Sequence, residues 1–319
     1  MTGAQSDAQE RAAAVKRVAA DCGYIACGIT HTAPFRLYET ALQRRMKRFP
    51  EAVDLYRPML DRVDPLRNAP WVNSIIVCVR DYGKYKLPSG MASHIGRNYL
   101  ADHRNPACPD HAMAHRMTGK LEHMGFRVER GGLPDRLAGA RAGVVRIARN
   151  GFACHRDAGS WINVECWRTD AILPADAPTL DCPCPSGCRA CIRACPTGAL
   201  ERPYLMRMDH CIAYLTYGAE WPVREELQRA MGSWVYGCDV CQSVCPLNRG
   251  RWREDEPAPW LEAVEPLLEL EALARMDDET FRRHVYPLFW YIPEDNVARW
   301  RANAKRALHA RDSNESQQA

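Results

Sequence analysis

Residues 184–196 read CPSGCRACIRACP and residues 238–246 read CDVCQSVCP, and these two blocks decide how the rest of the chain is read. Both end in CxxCxxxCP. With Cys182 and Cys211 beside and between them, nine of the 15 cysteines fall within 182–245, and six are spread over the remainder of 319 residues. An odd count placed so unevenly is no disulfide framework. The opening MTGAQSDAQERAAAVKR is polar and mixed in charge where a signal peptide needs an apolar stretch, and the longest apolar-rich run, 71–79, is about half of what crosses a bilayer. The expectation is a cytoplasmic protein with no membrane segment, in which clustered thiols are metal ligands or redox groups. Forty-three Lys and Arg against 39 Asp and Glu leave +4, too little to announce nucleic acid or a membrane surface.

The CxxCxxxCP spacing occurs in bacterial two-cluster ferredoxins, where three cysteines of a block hold one [4Fe-4S] cluster and the cysteine before proline reaches across to the other. Closely spaced thiolates on one loop cap three irons of a cubane; the fourth corner needs a ligand from elsewhere. Two clusters need eight thiolates, the blocks supply seven, and Cys211, lying between them, is the natural eighth. The expected ligand sets are Cys184, Cys188, Cys191 and Cys245 for one cluster, and Cys195, Cys211, Cys238 and Cys241 for the other. The first gap is one residue longer than CxxC, so Cys182 competes with Cys184 as first ligand. Structural zinc is the alternative for paired CxxC units, although zinc requires neither the CP endings nor a crossed ligand.

Working outward, the chain reads as α+β. An N-terminal mixed α/β catalytic domain (1–175) precedes a ferredoxin-like two-cluster iron-sulfur domain (176–250) and a helical C-terminal segment (251–319) with a frayed end. Ser6 and Gln9 form a capping-box pair ahead of a helix over 12–20. Further helices are expected over 36–49, 109–124 and 134–142, and strands over 24–29, 74–80, 144–147 and 161–172. The proline-rich run from Leu173 marks the first boundary.

RACPTGAL (193–200), CIAYLT (211–216) and YGCDVCQSVCPLN (236–248) closely resemble the epoxyqueuosine reductase family. Upstream, ARAGVVRIARNG (140–151), GSW (159–161) and TDAILPADAP (169–178) follow the family's order; downstream, LLELEAL, DDETFRR and RANAKRAL match the helical end of its shorter members. The resemblance implies a cobalamin-dependent enzyme in which two [4Fe-4S] clusters, fed by a low-potential donor such as ferredoxin or flavodoxin, reduce a corrinoid that acts on an epoxide of a modified tRNA base. Reductive dehalogenases share this cofactor pair, and Arg149-Asn150-Gly151 resembles theirs as well. By the same resemblance Glu129 falls on the family's general-acid position, one methylene longer than the usual Asp. Arg97, Arg149 and Asn150 fall on cofactor-binding positions, and Tyr99 is a second proton-donor candidate. The family's basic stretch before its last helix is replaced by PLFWYIPED (287–295), which removes phosphate contacts. A non-catalytic two-cluster electron-transfer partner of another corrinoid protein is the competing class.

The remaining thiols read as bystanders. Cys22, Cys27, Cys78 and Cys166 lie in helix or strand patterns, and Cys154 reads as a buried thiol beside His155. Cys108, in HRNPACPDH, is expected to be the more exposed one, with a reactive thiol as the lesser alternative.

Overall fold

The protein is described from a computed structural model covering residues 3–318 apart from His103 and Trp221. Its centre is a four-stranded antiparallel sheet of β1 (Ala26–Thr30), β2 (Ser74–Asp81), β3 (Val128–Arg130) and β4 (Ile162–Thr169), in the order β1-β2-β4-β3. β2 is buried along its whole length because it is central and covered on both faces, which is why its residues 75–79 read as a continuous apolar run. The register sets Ile75 against Arg168, Val77 against Cys166 and Val79 against Val164, and on the outer side Glu129 against Arg168. Those residues share one face.

The opposite face, with Ile29, Ile76, Cys78 and Trp167, is covered by α1 (Gly3–Cys22) and by α3 (Pro109–His123). α2 (Arg36–Arg48) and the 3-10 turns through Arg62 follow β1, and Phe35 at the entry to α2 joins the first face. That face is closed by α4 (Asp135–Arg141), which packs Ala138 and Ala142 on Val77 and Cys166. Arg80, fully buried, pairs with Asp110 of α3 and lies 3.5 Å from Glu165, so an ionic knot pins α3 to the sheet. A buried charge needs such compensation on every side.

Several expectations are corrected. α1 begins at Gly3, so Ser6 lies inside the helix and caps nothing. The strand expected over 144–147 is only Arg146–Ile147, paired with Ala153–Cys154 in a short hairpin. Cys108 is 1% exposed, the residue before α3, and burial pushes its thiol up to about 11. Among the described residues no helix is long and apolar enough to cross a membrane.

Candidate functional site

The cysteine blocks are organised by the turn between the two short strands. Arg149 donates its backbone N–H to Cys184 Sγ at 3.4 Å, and its Nη1 reaches the carbonyls of Pro185 (3.2 Å) and Cys188 (2.7 Å). Next to it, Asn150 Nδ2 approaches the carbonyl of Cys241 at 3.4 Å, while Asn150 Oδ1 accepts from the Phe152 N–H. One turn therefore grips both blocks. Cys184, Cys188, Cys191 and Cys245 line a common pocket together with Arg149 and Asn150. Cys182 is exposed; its thiol bonds to Tyr204 and Cys184 instead.

The other four thiols form a second group. Burial pushes Cys241 up, and the neighbours that add to the effect include Cys238, Cys211 and Cys195. Cys238 is pushed up to about 12, by burial first and then by Cys211, Asp239 and Cys195. Cys211 caps Ile212–Tyr217 (α6, following α5 at Ala190–Ala194), and Cys241 lies in α7 (Val240–Ser243). Cys245 thus lies beside the first block, and Cys195 and Cys211 neighbour Cys238 and Cys241. Among the described residues no three His, Cys, Asp or Glu side chains are arranged to hold a single metal ion.

Arg97 joins the second block to the N-terminal part. Its backbone N–H donates to Asp239 Oδ2 at 2.9 Å, its guanidinium reaches Asp239 and Ser243 at 3.4 Å, and it lies between the rings of Trp161 and Trp252. Beside it, Ser160 of the GSW triplet exchanges hydrogen bonds with Asn248 and accepts from Gln242 Nε2 at 3.0 Å. Tyr99 lies away from Glu129 and Asp135, beside the second cysteine block. It lies in a nest of Tyr217, Tyr236 and Tyr291, its hydroxyl 3.0 Å from that of Tyr217 and its ring against Gly237. Arg149, Asn150 and Arg97 thus hold the cysteine loops, and Tyr99 backs the second of them.

A second cluster of polar groups lies at one end of the sheet. Glu129, half-exposed, pairs with Arg168 at 2.6 Å, and Arg168 in turn packs on Gly132. One strand step along the same face is Cys166, whose thiol hydrogen-bonds to Asp135. Asp135 starts α4; burial pushes its carboxyl up to about 6, against the lowering effects of Cys166, Arg62 and Arg136, and its Oδ1 is buried with no protein partner. Tyr38 of α2 faces Arg62, Arg45, Arg136 and Asp135 together. The half-buried Arg45 reaches the carbonyl of Tyr204 at 3.3 Å, and the Tyr204 N–H donates to the carbonyl of Arg149 at 2.8 Å. Tyr204 has φ 62°, a left-handed conformation unusual outside glycine. This residue links the first thiol pocket to the arginines and carboxyl at the sheet end. Of that group the sequence offered Glu129 and, at the end of the same matched stretch 128–135, Asp135 without a role; Tyr38, Arg45, Arg62 and Arg168 carry no motif.

Residues 184–248 match a family model described as a 4Fe-4S double cluster binding domain. The epoxyqueuosine reductase of Synechococcus sp. is 30% identical over 278 residues, covering 82% of this chain and 85% of that protein. The Yersinia pestis epoxyqueuosine reductase is 37% identical over 149 residues, but the match spans only 36% of its length. Among solved structures, the Bacillus subtilis epoxyqueuosine reductase superposes with a TM-score of 0.78 over 96% of this chain and 83% of its own, at 23% identity. An epoxyqueuosine reductase solved with an epoxyqueuosine-modified tRNA stem loop gives 0.72 at 22% identity, covering 94% and 81%. These two show the same fold. Identity sustained along four-fifths of the sequence, over a fold that gathers the eight cysteines into two groups, shows that the chain belongs to the epoxyqueuosine reductase family of oxidoreductases.

Proposed function

We propose that this chain reduces an epoxide on a modified tRNA base, with electrons from a low-potential donor such as ferredoxin or flavodoxin passing through two [4Fe-4S] clusters to a bound corrinoid. The supporting observation is the connection between the two sites: the pocket of Cys184, Cys188, Cys191 and Cys245 lies one residue, Tyr204, away from Arg45 and the other arginine and carboxyl groups at the sheet end. The ligand sets proposed are those four thiols for the first cluster and Cys195, Cys211, Cys238 and Cys241 for the second, with Cys182 outside both.

The residues present fit a corrinoid, whose rim carries amide groups. Arg45 Nε, Arg168 Nε, Thr30 Oγ1 and Asp135 Oδ1 are buried polar atoms without protein partners, and an unmet buried donor or acceptor costs about 1–3 kcal/mol unless a ligand satisfies it. Arg45, Arg168 and Thr30 are the residues proposed to hold it. A bound corrinoid supplies a strongly reducing, nucleophilic cobalt centre, and the clusters supply single electrons. The chain's own part is to bind, to exclude water through the α2 and Phe35 cover, and to place Glu129 for proton donation. Arg168 holds the Glu129 carboxyl at the edge of the sheet, within reach of solvent for reprotonation.

Anaerobic reconstitution tests the reading. Full-length protein is expected to bind about eight irons, eight sulfides and one corrinoid, and, once reduced, to convert epoxide-bearing tRNA to the alkene. Four or fewer irons would overturn the two-cluster assignment; a corrinoid-free protein with full reducing power toward another corrinoid protein would favour an electron-transfer role, and reduction of an organohalide in place of tRNA would move the substrate class.

A further inference from the structure

Taking oxygen from an epoxide as water breaks two C–O bonds, forms one C=C bond, and consumes two electrons and two protons. The electrons arrive singly from the low-potential donor; the protons need two acids, or one acid recharged in mid-turnover. Glu129 is one carboxyl. The sheet end contains another in a different setting: Asp135 has Oδ1 buried without a partner, while the Cys166 thiol hydrogen-bonds to its carboxyl from the strand beneath. The groups facing it are Cys166 and Glu165 from β4, Arg62 from the 3-10 turn, Arg136 from α4 and Tyr38 from α2.

We propose that Asp135 supplies the second proton, handed from Oδ1 to the departing oxygen, with the Cys166 thiol orienting the carboxyl. The inference rests on the epoxide-reducing function proposed above. In the acid form the thiol bonds to the carbonyl oxygen and leaves the hydroxyl for the substrate. Burial favours that form, and the raised carboxyl, at about 6, keeps a protonated population available near neutrality.

The test uses the reconstituted, full-length protein and two readouts. Infrared difference spectra between pH 5 and pH 8 are expected to show a protonated-carboxyl band lost with a midpoint near 6 in the wild type and missing from Asp135→Asn, with a displaced Cys166 S–H band in that variant. Single-turnover reduction of epoxide-bearing tRNA by dithionite-reduced protein is expected to slow about 100-fold in Asp135→Asn, to lose its alkaline limb, and to leave the iron content unchanged. Cys166→Ala removes a hydrogen bond that lowers the carboxyl, so the midpoint and the limb both move to higher pH; Cys166→Ser restores them. Wild-type protein without the carboxyl band, or an Asp135→Asn variant with an unaltered rate and pH profile, would overturn the proposal. A wild type that shows the band yet reduces no epoxide overturns the functional reading and the donation step, while leaving the protonated carboxyl established.

Discussion

Cys184 and Cys182 are two residues apart, yet one lines the thiol pocket and the other bonds to Tyr204 at the surface. Cys184→Ser is therefore expected to lose about four of eight irons on reconstitution, and Cys182→Ser none, measured by iron and sulfide analysis. The grouping of eight thiols could be read from local spacing; the difference between 182 and 184 could not, since it depends on Arg149, which is 35 positions away from Cys184 and grips the 184–188 loop from outside. Asp135 stood in the matched stretch 128–135, but its character was not legible for a related reason: it comes from burial against β4. Its raised carboxyl, at about 6, also sets a stability trend. The native state binds this proton more tightly than the unfolded chain, so the contribution is complete below about pH 4 and is lost as pH rises through about 6. Asp135→Asn should therefore gain on the order of 1–2 kcal/mol relative to wild type at pH 8 and little at pH 4, as read by denaturant unfolding of both proteins. A gain that is the same at both pH values would refute the assigned burial.

The turn between the short strands is the element that couples the two cysteine blocks. Arg149 serves two carbonyls of the first block and Asn150 one of the second, so the turn's shape sets their separation. Lysine at 149 keeps the charge but not the planar fork. Arg149→Lys is expected to shorten the lifetime of the first cluster in air about tenfold, corresponding to about 1.4 kcal/mol, while the second cluster persists; the decay of visible absorbance in two phases would show it. β2 was legible because its apolar run is long and buried on both faces. The turn's two strands have two residues each, too few for periodicity to register, and the 3-10 segment that presents Arg62 has neither the helical nor the strand period. The recognisable ARNG and GSW stretches gave positions without reasons. The reason for the second is steric: Gly159 has φ +61°, and a Cβ there would collide with Asn248 Oδ1 and lie 2.8 Å from the Leu247 carbonyl.

Across the whole molecule, the sequence suggested three units in series, whereas the largest apolar cluster combines residues from all three stretches: Tyr82, Tyr85 and Ile95, then Val235 and Tyr236, then Phe289 and Trp300. Trp300, fully buried in α8 (Val297–Gln318), stacks on Tyr236 with centroids 5.1 Å apart, and Tyr236 is two residues from Cys238. Asn303 of the same helix donates to the carbonyls of Thr216 and Val235, and so ties both sides of the second thiol group to the C-terminal helix. Composition shifts along a chain mark where loops and prolines fall; they carry no information about which apolar faces meet. The consequence is cooperativity between packing and metal. Truncating a fully buried tryptophan costs about 3–5 kcal/mol, and here the lost ring supports the second cysteine loop from beneath. Trp300→Ala is expected to lower the thermal midpoint by several degrees and to bleach the cluster absorbance in the same transition as loss of helical circular dichroism, and iron chelation should lower the wild-type midpoint because the clusters bind only the folded chain. A helical segment that melted separately, with absorbance and iron retained, would show that the three stretches fold as independent units despite their shared core.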